Sequence, residues 1–315
     1  MSVLEHAPAR VFGFDIGKDT ITVFDTGSQQ TCVIDNTRAA IKTALRGLGS
    51  DCLAICEPTG GHERLLLEQL VKAGIACHRA NTLNVKSFIR SFGTLAKTDA
   101  LDAQALARYG EERWSRLALF QPPDAEQAEL CELARRRQEL VAMKVAEQNR
   151  SKAPGGRITK ASCRAMLRAI ERQITQIDGH METLLQACTG LRRKVDLLRE
   201  LSGVGPRTAI GLAAFMPELG TLKRREAAAL AGVAPHPKDS STIKGYRRMR
   251  GGRPIIRTIL FMAALAASRA KGPLRAFYQH LIEAGKKPII AIGALMRKII
   301  VILNARLRDD LAQQS

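Results

Sequence analysis

Val11-Phe-Gly-Phe-Asp-Ile16 is the stretch that decides the fold: a short, almost wholly apolar run that reads as a buried strand and carries a carboxylate near its end. Outward from it, Thr20-Ile-Thr-Val-Phe24 and Thr31-Cys-Val-Ile34 continue in the same style, with Thr26-Gly-Ser28 as the turn between them. Three such runs in close succession predict an antiparallel meander. Asn36 then caps a helical run through Leu48, and Gly49 stops it. Cys52-Leu-Ala-Ile-Cys56 is a fourth buried strand, 62–73 an amphipathic helix, and Gly74-Ile-Ala-Cys-His78 a fifth strand. Helices over 85–92 and 98–114 follow.

Three antiparallel strands, then helix, strand, helix, strand and helix, resemble the order of the ribonuclease-H-like fold. Gln121-Pro-Pro-Asp124 marks a boundary. Beyond it, 125–150 reads as one long polar helix, interrupted by Ala153-Pro-Gly-Gly156. Leu167, Ile170, Ile174, Ile177, Met181, Leu184, Cys188, Leu191, Val195 and Leu198 then fall in alternating steps of three and four, a heptad seam. Together the two segments predict an antiparallel coiled coil. From Leu201 the chain is helical and strongly basic. The expected organisation is therefore an α/β domain over 1–122, a helical coiled-coil linker over 123–199, and a mainly α domain over 200–315.

The chain of 315 residues carries 49 Lys or Arg against 30 Asp or Glu, a formal charge of +19. Such a surplus repels itself unless a polyanion neutralises it, and nucleic acid is the natural candidate. A ribosome-like or membrane-surface protein is the plainer alternative. Aromatics at 4% are too few for a base-stacking platform. Seven cysteines without a C-x-x-C pair indicate neither a zinc site nor a disulfide framework. Met1 to Arg10 lacks an apolar signal core, and the apolar runs near the C-terminus, interrupted by Arg257 and by Arg297-Lys298, are read as too short to span a bilayer. The expectation is a soluble protein with no membrane partner.

Four acids stand out by position. Asp15 ends the first strand, Glu57 follows the fourth in Cys56-Glu-Pro-Thr-Gly60, and Asp99 and Asp102 stand three apart near a helix start. In a ribonuclease-H-like arrangement the first and fourth strands are neighbours and the last helix crosses them, so the four carboxylates would converge. Ionised carboxylates share a small volume only when cations offset their repulsion, and hard oxygen donors select Mg²⁺ or Mn²⁺. Taken singly, each acid reads more simply as a turn, cap or helix-dipole residue. Asp19 and Glu63 rank below these four.

Between Lys223 and Arg275 stand thirteen Lys or Arg against Glu226 and Asp239. Within that block Ser240, Ser241 and Thr242 follow Asp239, and Lys244, Arg247, Arg248, Arg250, Arg253 and Arg257 come after. A serine hydroxyl needs activation to act as a nucleophile, and nearby guanidiniums can hold and stabilise a phosphate. The simpler reading is a hydroxyl-rich loop that hydrogen-bonds phosphate without covalent chemistry. Leu201-Ser-Gly-Val-Gly-Pro-Arg-Thr-Ala209 has the form of a helix-hairpin-helix turn, with Arg207 beside it, or of an ordinary tight turn.

Phe14-Asp-Ile-Gly17, Glu57-Pro-Thr-Gly60, Lys97-Thr-Asp-x-x-Asp-Ala103, Gly203-Val-Gly205, Ala231-Gly-Val-Ala-Pro235, Asp239-Ser240 and Gly251-Gly-Arg253 appear in that order over nearly the whole chain. This set resembles the insertion-sequence transposases that join an N-terminal DEDD, RuvC-like domain to a C-terminal serine domain (the one-ten insertion-sequence family, eleven-eleven subgroup). The resemblance implies Asp15, Glu57, Asp99 and Asp102 as catalytic metal ligands for Mg²⁺ or Mn²⁺, and Ser240 as a covalent nucleophile. It implies RNA-guided DNA recombination: a structured bridge or seeker RNA, double-stranded DNA at element ends and target, and composite active sites in a homo-oligomer, a dimer or tetramer, at the nucleoid of a bacterial cytoplasm. The family commonly has Gly after the serine where this chain has Ser241, which leaves Ser241 as a second candidate. The alternatives are a Holliday-junction-resolvase-like endonuclease working with water at the acidic site, and a nucleic-acid-binding protein without chemistry.

Overall fold

The computed structural model describes residues 3–93, 98–237, 239–240, 243–245 and 247–314, with backbone alone for Ser240, Ile243 and Lys244. The chain divides into two compact units, Met1–Pro122 and Pro123–Ser315.

In the first unit β1 (Arg10–Ile16), β2 (Thr20–Asp25) and β3 (Gln30–Asp35) form the meander. β4 (Cys52–Cys56) and β5 (Ala76–Arg79) add to its other side, giving the order β3-β2-β1-β4-β5. The pairings β1–β2 and β2–β3 are antiparallel, and β1–β4 and β4–β5 are parallel, with Phe14 opposite Cys56. Helices α1 (Arg38–Ala44) and α2 (Arg64–Lys72) contribute Ile41, Leu66, Leu67 and Leu70 to the core that contains Phe12, Phe14, Ala54 and Cys56. Helices α3 (Thr82–Ser91) and α4 (Asp99–Arg113) cover the opposite face, where Val11, Leu53 and Ile55 meet Val85, Phe88, Ala103, Leu106 and Ala107. The period of two along each strand thus separates two cores. β1 and β4 are buried on both faces, which is why each reads as a continuous apolar run.

Gly13 sets how closely α4 approaches. A Cβ built there would lie 1.9 Å from the Ala103 carbonyl oxygen and 2.6 Å from the Ala107 nitrogen, both backbone atoms. Gly110 repeats the device a little over one turn further along, facing Ile55 and Val11 at 2.7 Å. Gly13→Ala is therefore expected to lower the unit's stability by about 3 kcal/mol through overpacking. A urea or thermal midpoint equal to the parent's would show that α4 does not rest on β1 at this point.

Two helix starts differ from expectation. α1 begins after Thr37, whose hydroxyl accepts from the Ala40 N–H, while Asn36 instead donates its amide to the Gly17 and His62 carbonyls. α3 begins three residues early because Asn81 caps it, accepting from Leu83 N–H at 2.9 Å.

The second unit opens with α5 (Ala125–Lys152) and α6 (Arg157–Ala187), which pack along one another with Leu130, Leu140, Cys163 and Ile170 buried. The heptad run does not continue as one helix. It divides at Cys188, before Thr189-Gly190, both poor helix formers. Leu191, Val195 and Leu198 of α7 (Thr189–Arg199) turn instead into the core of this unit, beside Leu212, Leu260 and Leu303. That core is built with α8 (Pro206–Phe215), α9 (Arg224–Leu230), α10 (Pro254–Arg269), α11 (Pro273–Glu283) and α12 (Pro288–Gln314). α12 corrects the reading that no C-terminal stretch reaches spanning length: Arg297 and Lys298 do not break it, and by length and composition it qualifies. Its apolar side is spent in the core, with Leu295, Ile299, Ile300 and Leu303 buried. Between α9 and α10, short two-residue strands pair as β6 (Pro235–His236) with β9 (Arg248–Met249) and β7 (Asp239–Ser240) with β8 (Ile243–Lys244).

Candidate active site

Strand alternation places Asp15 and Glu57 of the first unit on one side of the sheet. On β1, Val11 and Gly13 face α4, so Asp15 does too; on β4, Leu53 and Ile55 face α4, so Glu57, next in the same alternation, points the same way. The parallel register that sets Phe14 against Cys56 brings Asp15 beside Glu57. α4 runs antiparallel to β1, with Gly110 over Val11 and Ala103 over Gly13, so its N-terminal turn reaches the end of β1 that carries Asp15. Asp99 and Asp102 both lie in that first turn, on one helical face, with Asp99 exposed.

Electrostatics agree with this placement. The half-buried Glu57 carboxyl is raised above the ordinary carboxylate range, first by burial, with Asp102 and Asp15 adding repulsion against a Thr82 hydrogen bond and the Lys86 charge. Glu57 thus senses both Asp15 and Asp102. Among the described residues, no three His, Cys, Asp or Glu are drawn close enough to form a ready-made metal cage. The donors fit a hard divalent cation by chemistry, as oxygen ligands around a repelling charge cluster.

Glu63 is a different kind of acid. It is 3% exposed, accepts from the Thr59 and Gly61 N–H groups at 3.1 and 2.9 Å, and pairs with Arg79 at 2.8 Å. Burial pushes its carboxyl up, but those N–H groups and Arg79 outweigh it and hold it below its usual range. Glu63 thus pins the Glu57-Pro-Thr-Gly loop, where Gly60 and Gly61 take positive φ, and ties it to β5. Thr82 and Lys86, which face Glu57 from α3, were not among the residues picked from sequence. Their signal was present as a four-residue spacing at a helix start, hidden because that start was read at Val85.

In the second unit the basic residues divide by partner. Arg253 donates to the Phe215 carbonyl at 2.7 Å and to both Glu218 oxygens at 2.8 and 2.5 Å. Arg257 donates to the Gly232 carbonyl at 3.2 Å, where the Gly232 and Gly252 backbones meet so closely that a Cβ on Gly252 would lie 2.2 Å from the Gly232 nitrogen. Both guanidiniums hold the fold together here. Arg207 pairs with Asp178 at 2.7 Å, and Arg247 with both Asp239 oxygens at 2.7 and 2.6 Å. Arg248 and Arg250 are exposed, with no carboxylate partner among the described residues. Ser240 is placed by its backbone, in register with Ile243, and Lys244 likewise. Ser241 and Thr242 lie outside the described residues. In the Gly203-Val-Gly205 turn, Gly203 (φ +93°) is packed against Ala263 and Ala267 of α10, whereas Gly205 is open above the first turn of α8.

Comparison with known proteins fits these observations. Residues 12–153 match the DEDD transposase model of the IS110 group, and residues 195–279 match the model described as Transposase IS116/IS110/IS902 family. The pilin gene-inverting proteins of Moraxella lacunata and Moraxella bovis are each 26% identical over 260 residues, covering 81% of this chain and 80% of theirs. An insertion element IS110 protein of Streptomyces coelicolor is 31% identical over 161 residues, covering 50% of this chain and 38% of its own. The chain belongs to the IS110/IS116/IS902 family of transposases.

Proposed function

We propose that this transposase is an RNA-guided recombinase that holds a divalent cation on Asp15, Glu57, Asp99 and Asp102 and passes DNA through a phosphoserine on Ser240. The observation that carries the metal part is the placement of Asp15 and Glu57 on the α4 face of the sheet, toward the end of α4 that bears Asp102, with Glu57 raised first by burial and further by those two acids. Strand order β3-β2-β1-β4-β5 with mixed pairing supports a ribonuclease-H-like, RuvC-type domain. The long antiparallel contact of α5 with α6 supports a coiled coil, shorter than the full heptad run. Mg²⁺ or Mn²⁺ bound by these acids would supply Lewis-acid stabilisation of phosphate charge.

Relatives named for inverting a pilin gene support cutting and rejoining of DNA, since inversion changes no atoms outside the strand ends. In the proposed step a bond forms between Ser240 Oγ and phosphorus, the bond from phosphorus to one deoxyribose oxygen breaks, and that oxygen takes a proton. A second strand's hydroxyl then reverses the step, so no energy donor is consumed. The enzyme works as a homo-oligomer, a dimer or tetramer, at the bacterial nucleoid. Guidance by an element-encoded RNA rests on the family resemblance.

The test uses the purified protein, duplex DNA carrying element ends and target, Mg²⁺, and RNA transcribed from the non-coding DNA flanking the reading frame. Joined strands are expected only with both RNA and Mg²⁺. Equal product without RNA removes the guidance, and equal product in EDTA removes the metal.

A further inference from the structure

Helix α6 begins with a charge pattern that neither cluster above uses. From residue 153 to residue 170 the chain carries Arg157, Lys160, Arg164 and Arg168 and no acid, and Arg172 extends the row. Lys160, Arg164, Arg168 and Arg172 are four apart, so they climb one ridge of the helix at about 6 Å per step, and Arg157 falls in the same sector. All five are exposed.

The row has no counter-charge of its own. On the adjoining part of the α5–α6 pair each nearby carboxylate is taken: Glu139 by Arg136, Glu147 by Arg150 and Glu171 by Lys144. Among the described residues, no carboxylate lies within ion-pair distance of the five cations. An ordinary solvated helix face mixes signs and gains from opposite charges four apart, whereas these neighbours repel. Arg157 and Lys160 also stand in the first turn, which holds no acid and where the helix dipole disfavours cations. Each of these features is unfavourable in the free protein and is reversed by a polyanion laid along the helix.

We propose that this face of α6 binds the phosphate backbone of duplex DNA, as a second contact separate in sequence from the basic block after Lys223. The assignment rests on DNA being the substrate, which family membership supplies. A duplex fits better than looped single-stranded RNA because 150–176 contain no aromatic or histidine side chain on which a splayed base would stack. Such a contact is blind to sequence and orients the DNA along the helix pair.

The experiment measures affinity of the full chain for a mixed-sequence DNA duplex over a range of salt. The variant carries Lys160→Gln, Arg164→Gln, Arg168→Gln and Arg172→Gln together. The slope of log K against log salt is expected to flatten by about 3 to 4, near 0.9 for each lost phosphate contact. A variant with Lys at all four positions should keep the parent slope. Circular dichroism reports whether α6 still folds in each. An unchanged slope in the Gln variant overturns the proposal, as does a loss confined to a structured RNA of equal length. An Arg248→Gln/Arg250→Gln variant probes the C-terminal block independently, so failure of one contact is distinguishable from failure of DNA binding as such.

Discussion

Asp15→Asn is expected to cut strand cleavage and joining by at least about 100-fold while leaving DNA affinity near the parent's. That bound is the upper end of the roughly 10- to 100-fold loss seen when only an outer partner of a metal site is removed, and Asp15 is proposed as a direct ligand. Asn keeps the size of the side chain but gives up the charge and half of the oxygen donors. The position makes the substitution informative: Asp15 stands next to the end of β1, beside Glu57 across the parallel register and toward the first turn of α4. Removing one charge from a group that repels itself should leave the thermal midpoint unchanged or slightly raised, so lost activity with intact stability would mark a chemical role. The cations proposed to contact phosphate lie elsewhere in the chain, which is why binding should survive. Full activity of Asp15→Asn would remove the acidic cluster from the reaction.

Strands were easier to read than helix ends. β1 and β4 are buried on both faces and carry no competing signal, so their apolar runs locate them closely. That Asp15 and Glu57 lie on the α4 side of the sheet was likewise open to inference, because alternation along β1 and β4 and the smallness of Gly13 fix the face. Helix starts depend on one capping side chain, and Thr37 and Asn81 displaced the expected limits for that reason. The heptad pattern ran through Cys188 because apolar spacing cannot distinguish a seam from a helix that turns into a globular core. Charge counting had the same weakness. Arg253 and Arg257 belong to a one-signed block in the sequence, yet Glu218 and the Phe215 and Gly232 carbonyls that hold them stand 25 to 38 residues away, and only the fold shows the partnership. Arg248, Arg250 and the α6 row are among the cations that the structure leaves facing solvent.

Ser240→Ala is expected to abolish both the covalent protein–DNA adduct and strand exchange, to below detection, with DNA binding retained. A hydroxyl is the only nucleophilic group that this substitution deletes, and alanine is compatible with the extended backbone of β7. Asp239, one residue before it, is paired with Arg247 through both carboxylate oxygens. A junction-resolving nuclease using water at the acidic cluster would respond differently: Ser240→Ala would keep cutting, and no adduct would form in either protein. Ser241→Ala, made in parallel, separates the two hydroxyls. An adduct surviving Ser240→Ala but lost in Ser241→Ala moves the nucleophile by one residue and leaves the phosphoserine chemistry standing. Cleavage that survives both substitutions together would assign hydrolysis to the acids alone. The basic unit would then grip DNA without reacting with it, and the strand ends would be joined by some other agent.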